Sequence, residues 1–363
     1  MSALHYFALV AVALAATFVL TPLVRYASER LGLTDRPGAR KVHTKELSRL
    51  GGVAIAGGFV VAIAVQYAGE SLLGWNRVLL SGGTQLLGTF GGLAVIFAVG
   101  LVDDVRGLQP GVKFAGQLLA AAIPLAAGLR IEFVGNPFGG GLVELGLLGI
   151  PLTLLWIVGF ANVMNLIDGL DGLAAGIAAI SAISFLVLAA EMNELVAATL
   201  AAVLIGACVG FLRYNFHPAS IIMGDSGAMF LGFALATMAL HGVMKSVAAI
   251  TLVVPLLIVG VPVVDAASAI VRRARHGRPI HEADNGHVHH RLLHRGFDQR
   301  QTVLIIYVWS IALAVSGYSM RFVPGVFKLV VFAVLALLSG LMASWLGLFE
   351  AARIHGDGHI EED

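Results

Sequence analysis

The residues of this chain best suited to chemistry fall into five short polar clusters, each at the end of a long apolar run. Asp103-Asp104 stand directly after GGLAVIFAVGLV. Adjacent acids stay ionised near lipid only when a cation or donors join them, and such pairs hold Mg²⁺ or move protons. Asn162, Asn165, Asp168 and Asp171 recur at every third position in NVMNLIDGLDG, so neighbouring members share a helix face. Gly169 and Gly172 allow a break after Asp168, with a new helix near Asp171 whose free N–H groups could meet an anion. Asp225, in Gly224-Asp225-Ser226-Gly227, opens another apolar run. An acid there either caps the helix or coordinates a metal whose phosphate ligand shares the helix end. His287, His289, His290 and Arg291 stand among Arg273, Arg275, Arg278 and Arg295. H-x-H-H is not a zinc spacing, and the surrounding positive charge suits an anion such as phosphate. Arg40, Lys41, His43, Lys45 and Arg49 make a basic loop that serves topology, anion binding or both.

What must position these groups is a membrane-embedded helix bundle. Hydrophobic residues make up 58% and charged ones 12%, where a soluble domain carries about a quarter charged. Apolar segments of spanning length recur at about 3–24, 51–69, 83–102, 113–128, 146–165, 171–190, 194–212, 227–244, 247–271, 301–318 and 324–349. The expected fold is an all-α polytopic membrane protein of about 10–11 transmembrane helices. Residues 1–350 form one integral-membrane domain, and 351–363 form a disordered polar tail. Residues 129–145, LRIEFVGNPFGGGLVEL, alternate around a Gly/Pro turn and predict a small hairpin on the outer face.

Counting spans puts all five clusters on one side. Eighteen of the twenty-three Lys and Arg residues fall on that side, which the positive-inside rule makes cytoplasmic, with the N-terminus outside and the C-terminus inside. The first segment has no Lys or Arg ahead of it and no small-residue cleavage site, so it reads as a span rather than a signal peptide. Cys208 lies mid-span and excludes an intrachain disulfide. Asp265 stands apart: it lies inside the ninth segment, seven residues before Arg272-Arg273. An acid there is a functional suspect, or a partner for a helix irregularity near Pro255 and Pro262.

Together the clusters resemble the polyprenyl-phosphate N-acetylhexosamine-1-phosphate transferases, in the branch of WecA and TagO, with MraY a more distant relative. The resemblance runs from about Arg36 to Arg300 through PGARKVHTKELSRLGG, LVDDVRGL, NVMNLIDGLDGLAAG, MGDSGAMFLG, VPVVDAASAIVRR and GHVHHRLLHRGFDQRQTV. It implies transfer of a sugar-1-phosphate, N-acetylglucosamine-1-phosphate by default, from a UDP-N-acetylhexosamine to undecaprenyl phosphate. UMP is released, the cofactor is Mg²⁺ or Mn²⁺, and the setting is the bacterial inner membrane. By motif, Asp225 and Asn165 would sit at the metal, and Asp103 and Asp104 would be catalytic. Asn162, Asp168, Asp171, His287, His289, His290 and Arg291 would meet the nucleotide sugar. Lys41, His43 and Lys45 would meet the lipid phosphate. A homodimer is left open, and no nucleic-acid partner is implied. The family's aspartate-rich motif often has a third acid where this chain has Gly107, and the MraY pattern has a lysine after its paired aspartates and three consecutive histidines, both absent here.

Two other classes compete. An ion-coupled transporter would need working acids near the bilayer midplane, and apart from Asp265 the acids lie at span ends. A CDP-alcohol phosphotransferase would need Arg after DG-x-x-A, and here Ala174 is followed by Ala175.

Overall fold

A computed structural model describes residues 1–35, 46–135, 142–242, 253–275, 286–323 and 327–346. In a bilayer every backbone polar group must find its partner within the chain, and long apolar runs meet that demand as helices. The first eight are α1 (Ala3–Arg30), α2 (Gly51–Leu72), α3 (Gly83–Arg106), α4 (Pro110–Ala126), α5 (Gly149–Ile167), α6 (Leu173–Glu191), α7 (Leu195–Asn215) and α8 (Gly224–His241). They are followed by α9 (Val253–Ile258), α10 (Gly260–Arg275), α11 (Val288–His294), α12 (Gln299–Ser319) and α13 (Phe327–Trp345). Seven of these, α1, α2, α3, α5, α6, α7 and α12, are long and apolar enough to cross a membrane, and the protein is a multi-pass membrane protein.

Each of the eleven expected segments contains a helix, but the ninth is broken where α9 meets α10. Pro262 has no N–H to offer the Ile258 carbonyl four residues back. Ser181 Oγ of α6 donates to that carbonyl instead, at 3.3 Å. The carbonyl that Pro262 leaves without a helical donor is thus satisfied from α6.

α8 is the axis of the bundle. Every residue from Ser226 to His241 is buried, and the helix packs against α2, α3, α5, α6 and α7. Glycines let two neighbours touch its first turn. A Cβ on Gly100 of α3 would lie 2.5 Å from Ser226 Cα, and one on Gly52 of α2 would lie 2.2 Å from Gly227 N.

Two small antiparallel ribbons finish the ends. The expected hairpin is present as β3 (Phe133–Gly135) and β4 (Leu142–Glu144). A second ribbon, β1 (Thr34–Asp35) with β2 (Leu47–Ser48), joins the two ends of the basic loop. Ser48 also bridges Ile221, and Gly52 N–H donates to Met223 O at 2.7 Å, so the loop's exit is tied to the residues that open α8. At the far end of α2, the buried Glu70 accepts from Leu79 N–H at 2.8 and 3.0 Å and from Leu80 N–H at 2.9 Å, which fixes the turn into α3.

Candidate active site

The site is built around the first turn of α8, whose leading N–H groups have no partners within the helix. Gly224 enters that turn at φ 73°, and a Cβ there would lie 2.7 Å from both oxygens of Asp104 and 2.3 Å from Arg49 O, so only glycine fits. Asp104, 7% exposed, fills the vacated space. Its Oδ1 accepts from Asp225 N–H at 2.7 Å, and its Oδ2 accepts from Ser226 N–H at 3.0 Å and Ser226 Oγ–H at 2.6 Å. The cap of α8 thus comes from α3. Asp225, which the sequence offered as a cap, is left free for other work.

Asp103, one residue earlier, turns the other way. Its Oδ1 accepts from Leu108 N–H at 2.6 Å and its Oδ2 lies 2.8 Å from Lys113 Nζ of α4. The same ammonium sits 2.5 Å from Asp225 Oδ2 and 3.3 Å from Asn165 Oδ1, and Asn165 Nδ2 donates to Asp225 Oδ1 at 2.7 Å. One lysine therefore gathers side chains from α3, α5 and α8. The adjacent aspartates, alike in sequence, do different jobs.

The NVMNLIDGLDG run divides as well. Asn162 pairs with Gln117 of α4, donating to its Oε1 at 2.7 Å and accepting from its Nε2 at 3.2 Å, so its amide is committed one turn away from the cluster. Asp171 accepts from His217 Nδ1–H at 2.8 Å and Ala219 N–H at 3.0 Å, which ties the start of α6 to the connection before α8. Asp168, half-buried at the end of α5, has no hydrogen-bond partner among the described residues. Burial first, then the charges of Asp225, Asp104 and Asp171, push its carboxyl up to about 8.

The histidine cluster reaches the same place from the other side. His289, 2% exposed, lies against Gly169, where a Cβ would meet its Nε2 at 2.3 Å. Burial, then the neighbouring His290, holds its imidazole down to about 3, so it is neutral, and its Nδ1 is buried without a hydrogen-bond partner among the described residues. His287 stacks on His289 with ring centroids 5.8 Å apart. Its Nδ1 lies 2.9 Å from Asp265 Oδ2, so Asp265 joins the clusters rather than standing apart from them. His290 and Arg291 are half-buried on α11. Lys41, His43 and Lys45 lie outside the described residues.

Asp103, Asp225 and the Asn165 carbonyl are hard oxygen donors of the kind Mg²⁺ takes. Asp103, Asp104, Asp168 and Asp225 meet here, and among the described residues Lys113 is the cation within ion-pair distance of Asp103 and Asp225. Among the described residues the balance of charge here is negative, which suits a divalent ion. Among the described residues no three His, Cys, Asp or Glu side chains close on one point, so such an ion would complete its shell with water and ligand phosphates. Neither Lys113 nor Gln117 was among the residues singled out from the sequence. Their spacing of four in PGVKFAGQLL, two polar residues on one face of an apolar helix, carried the signal.

Residues 86–243, from α3 to α8, match the model of glycosyl transferase family 4. A probable undecaprenyl-phosphate N-acetylglucosaminyl 1-phosphate transferase of Bacillus subtilis is 37% identical over 340 residues, 93% of this chain and 91% of the relative. A decaprenyl-phosphate N-acetylglucosaminephosphotransferase of Mycobacterium tuberculosis is also 37% identical, over 81% of this chain and 77% of its own. A phospho-N-acetylmuramoyl-pentapeptide-transferase of Heliobacterium modesticaldum is 33% identical over a shorter stretch, 55% of this chain and 64% of the relative.

Proposed function

The chain belongs to glycosyl transferase family 4, alongside the polyprenyl-phosphate N-acetylglucosamine-1-phosphate transferases, and from that premise we propose that it moves N-acetylglucosamine-1-phosphate onto a polyprenyl phosphate. The donor in this reading is UDP-N-acetylglucosamine, UMP leaves, and the reaction takes place at the cytoplasmic face. The observation that carries the proposal is the Lys113-centred cluster of Asp103, Asp225 and Asn165 at one end of the bundle.

No activated serine or cysteine is required, because the lipid's own phosphate is largely dianionic at neutral pH and can be the nucleophile. An oxygen of that phosphate attacks the β-phosphorus of the UDP-sugar. The bond from β-phosphorus to the bridging oxygen breaks, and UMP departs with that oxygen. Two anions must come together, so neutralising charge is the main catalytic demand. Asp103, Asp225 and Asn165 would hold Mg²⁺ or Mn²⁺, which when bound would offset charge on the donor diphosphate. Lys113 adds a fixed positive charge beside those carboxylates. Asp104 acts at one remove, by holding the first turn of α8 and with it Asp225. His287, His289, His290 and Arg291 would face the donor's phosphates, and Lys41, His43 and Lys45 the lipid phosphate.

The transporter reading loses its main support. Asp265, its one candidate midplane acid, is engaged by His287 and Val288 of the polar loop. The enzyme reading is tested with purified protein in detergent, undecaprenyl phosphate, Mg²⁺ and a panel of UDP-sugars. UMP release with UDP-N-acetylglucosamine, abolished by chelator, is the expected result, and no UMP with any sugar overturns it. Exchange of labelled UMP into the donor without acceptor would replace direct displacement by a covalent aspartyl-phosphate route.

A further inference from the structure

We propose that Asp265 is a positioning residue for this transfer: it fixes His287 by one ring nitrogen and docks α11 against the turn that carries Asp168. The proposal rests on the enzymatic reading above. Asp265 of α10 is 1% exposed, and a carboxylate so buried is tolerated only with partners for both oxygens. Both partners come from the start of α11. His287 Nδ1 lies 2.9 Å from Oδ2, and Val288 N–H donates to Oδ1 at 2.8 Å.

A carboxylate accepting from Nδ1–H keeps the proton on that nitrogen, so Nε2 is the atom left to meet a ligand. The same face of α10 grips the segment a second time. Arg272, two turns beyond Asp265, lies against Gly286, where a Cβ would sit 2.4 Å from its Cζ. Held at both points, α11 stacks His287 on His289 and seats His289 on Gly169, the residue after Asp168. Asp265 thus sets both the tautomer of His287 and the approach of the histidine cluster to the acids.

Four variants and one distance test this. Asp265→Asn keeps an acceptor for Val288 N–H and loses the charge facing Nδ1. It is expected to lower kcat/KM roughly 10- to 100-fold, with the loss seen in KM for the UDP-sugar rather than for the lipid, and with partial recovery in Asp265→Glu. His287→Gln combined with Asp265→Asn should be no worse than the poorer single variant, because both break one unit. Spin labels at His294→Cys and Leu166→Cys report the docking without any substrate, and their distance distribution should broaden in Asp265→Asn. Losses that multiply in the double variant, or a full-rate Asp265→Asn with an unchanged distance, would overturn the proposal. Absence of transfer by the unmodified protein would overturn the enzymatic reading instead, while the label distance still decides the docking.

Discussion

At the scale of single residues the site turns on Lys113. Its ammonium satisfies Asp103 and Asp225 together, so Lys113→Met should lower transfer roughly 100-fold or more, as loss of a fixed charge-stabilising group does elsewhere. A point charge on a flexible stem is not reproduced by a planar guanidinium, so Lys113→Arg should recover little, which the UMP assay would show. Asp168 gives a pH signature. A carboxyl held up to about 8 is protonated at neutral pH and ionises as pH rises through that value, and a cation favours the ionised form. With an ion at Asp225, whose charge Asp168 feels, the Mg²⁺ concentration for half-maximal activity should therefore decrease from pH 6.5 to 8.5, whereas a flat dependence would count against that placement of the ion. The acids themselves were legible in the sequence, because charge in an apolar chain is conspicuous. Their division of labour was not. Asp103 and Asp104 differ only in which way the helix turns them, and spacing along one chain shows which residues share a face but not which helix that face meets.

At the scale of elements the site depends on how closely α2 and α3 approach the start of α8. A methyl group on Gly100 must push two backbones apart, so Gly100→Ala should cost about 1–3 kcal/mol and lower activity with it, measured by thermal unfolding in detergent beside the UMP assay. Glu70 supplies the contrast. Glu70→Ala strands the N–H groups of Leu79 and Leu80 at the end of α2 far from the acids. Roughly 1–3 kcal/mol of stability should be lost for each, with kcat at low temperature near that of the unmodified protein. Helix positions followed from apolar run length, and the hairpin followed from its alternation. The break between α9 and α10 was marked by Pro255 and Pro262, yet a continuous apolar run concealed it. The bridge that ties the exit of the basic loop to the start of α8 had no local signal, since Ser48 and Ile221 are far apart in sequence.

At the scale of the whole molecule, gathering the acids at one end makes sidedness a functional matter. Cys208, the single native thiol, is buried, so introduced cysteines can be read cleanly. Arg77→Cys should react with a membrane-impermeant maleimide in intact cells and Arg106→Cys only after permeabilisation; the reverse pattern would invert the topology. The bundle's logic is that a buried central helix ends in a glycine turn, a carboxylate from α3 caps it, and the acid freed by that cap faces a lysine and an amide. The most direct test of that logic is transfer of radiolabelled N-acetylglucosamine-1-phosphate from UDP-N-acetylglucosamine to undecaprenyl phosphate, with Asp225→Asn alongside at equal folded protein. The expected result is lipid-soluble label from the unmodified protein and a loss of roughly 100-fold or more in the variant. No labelled lipid from the unmodified protein, or full transfer by Asp225→Asn, would contradict it.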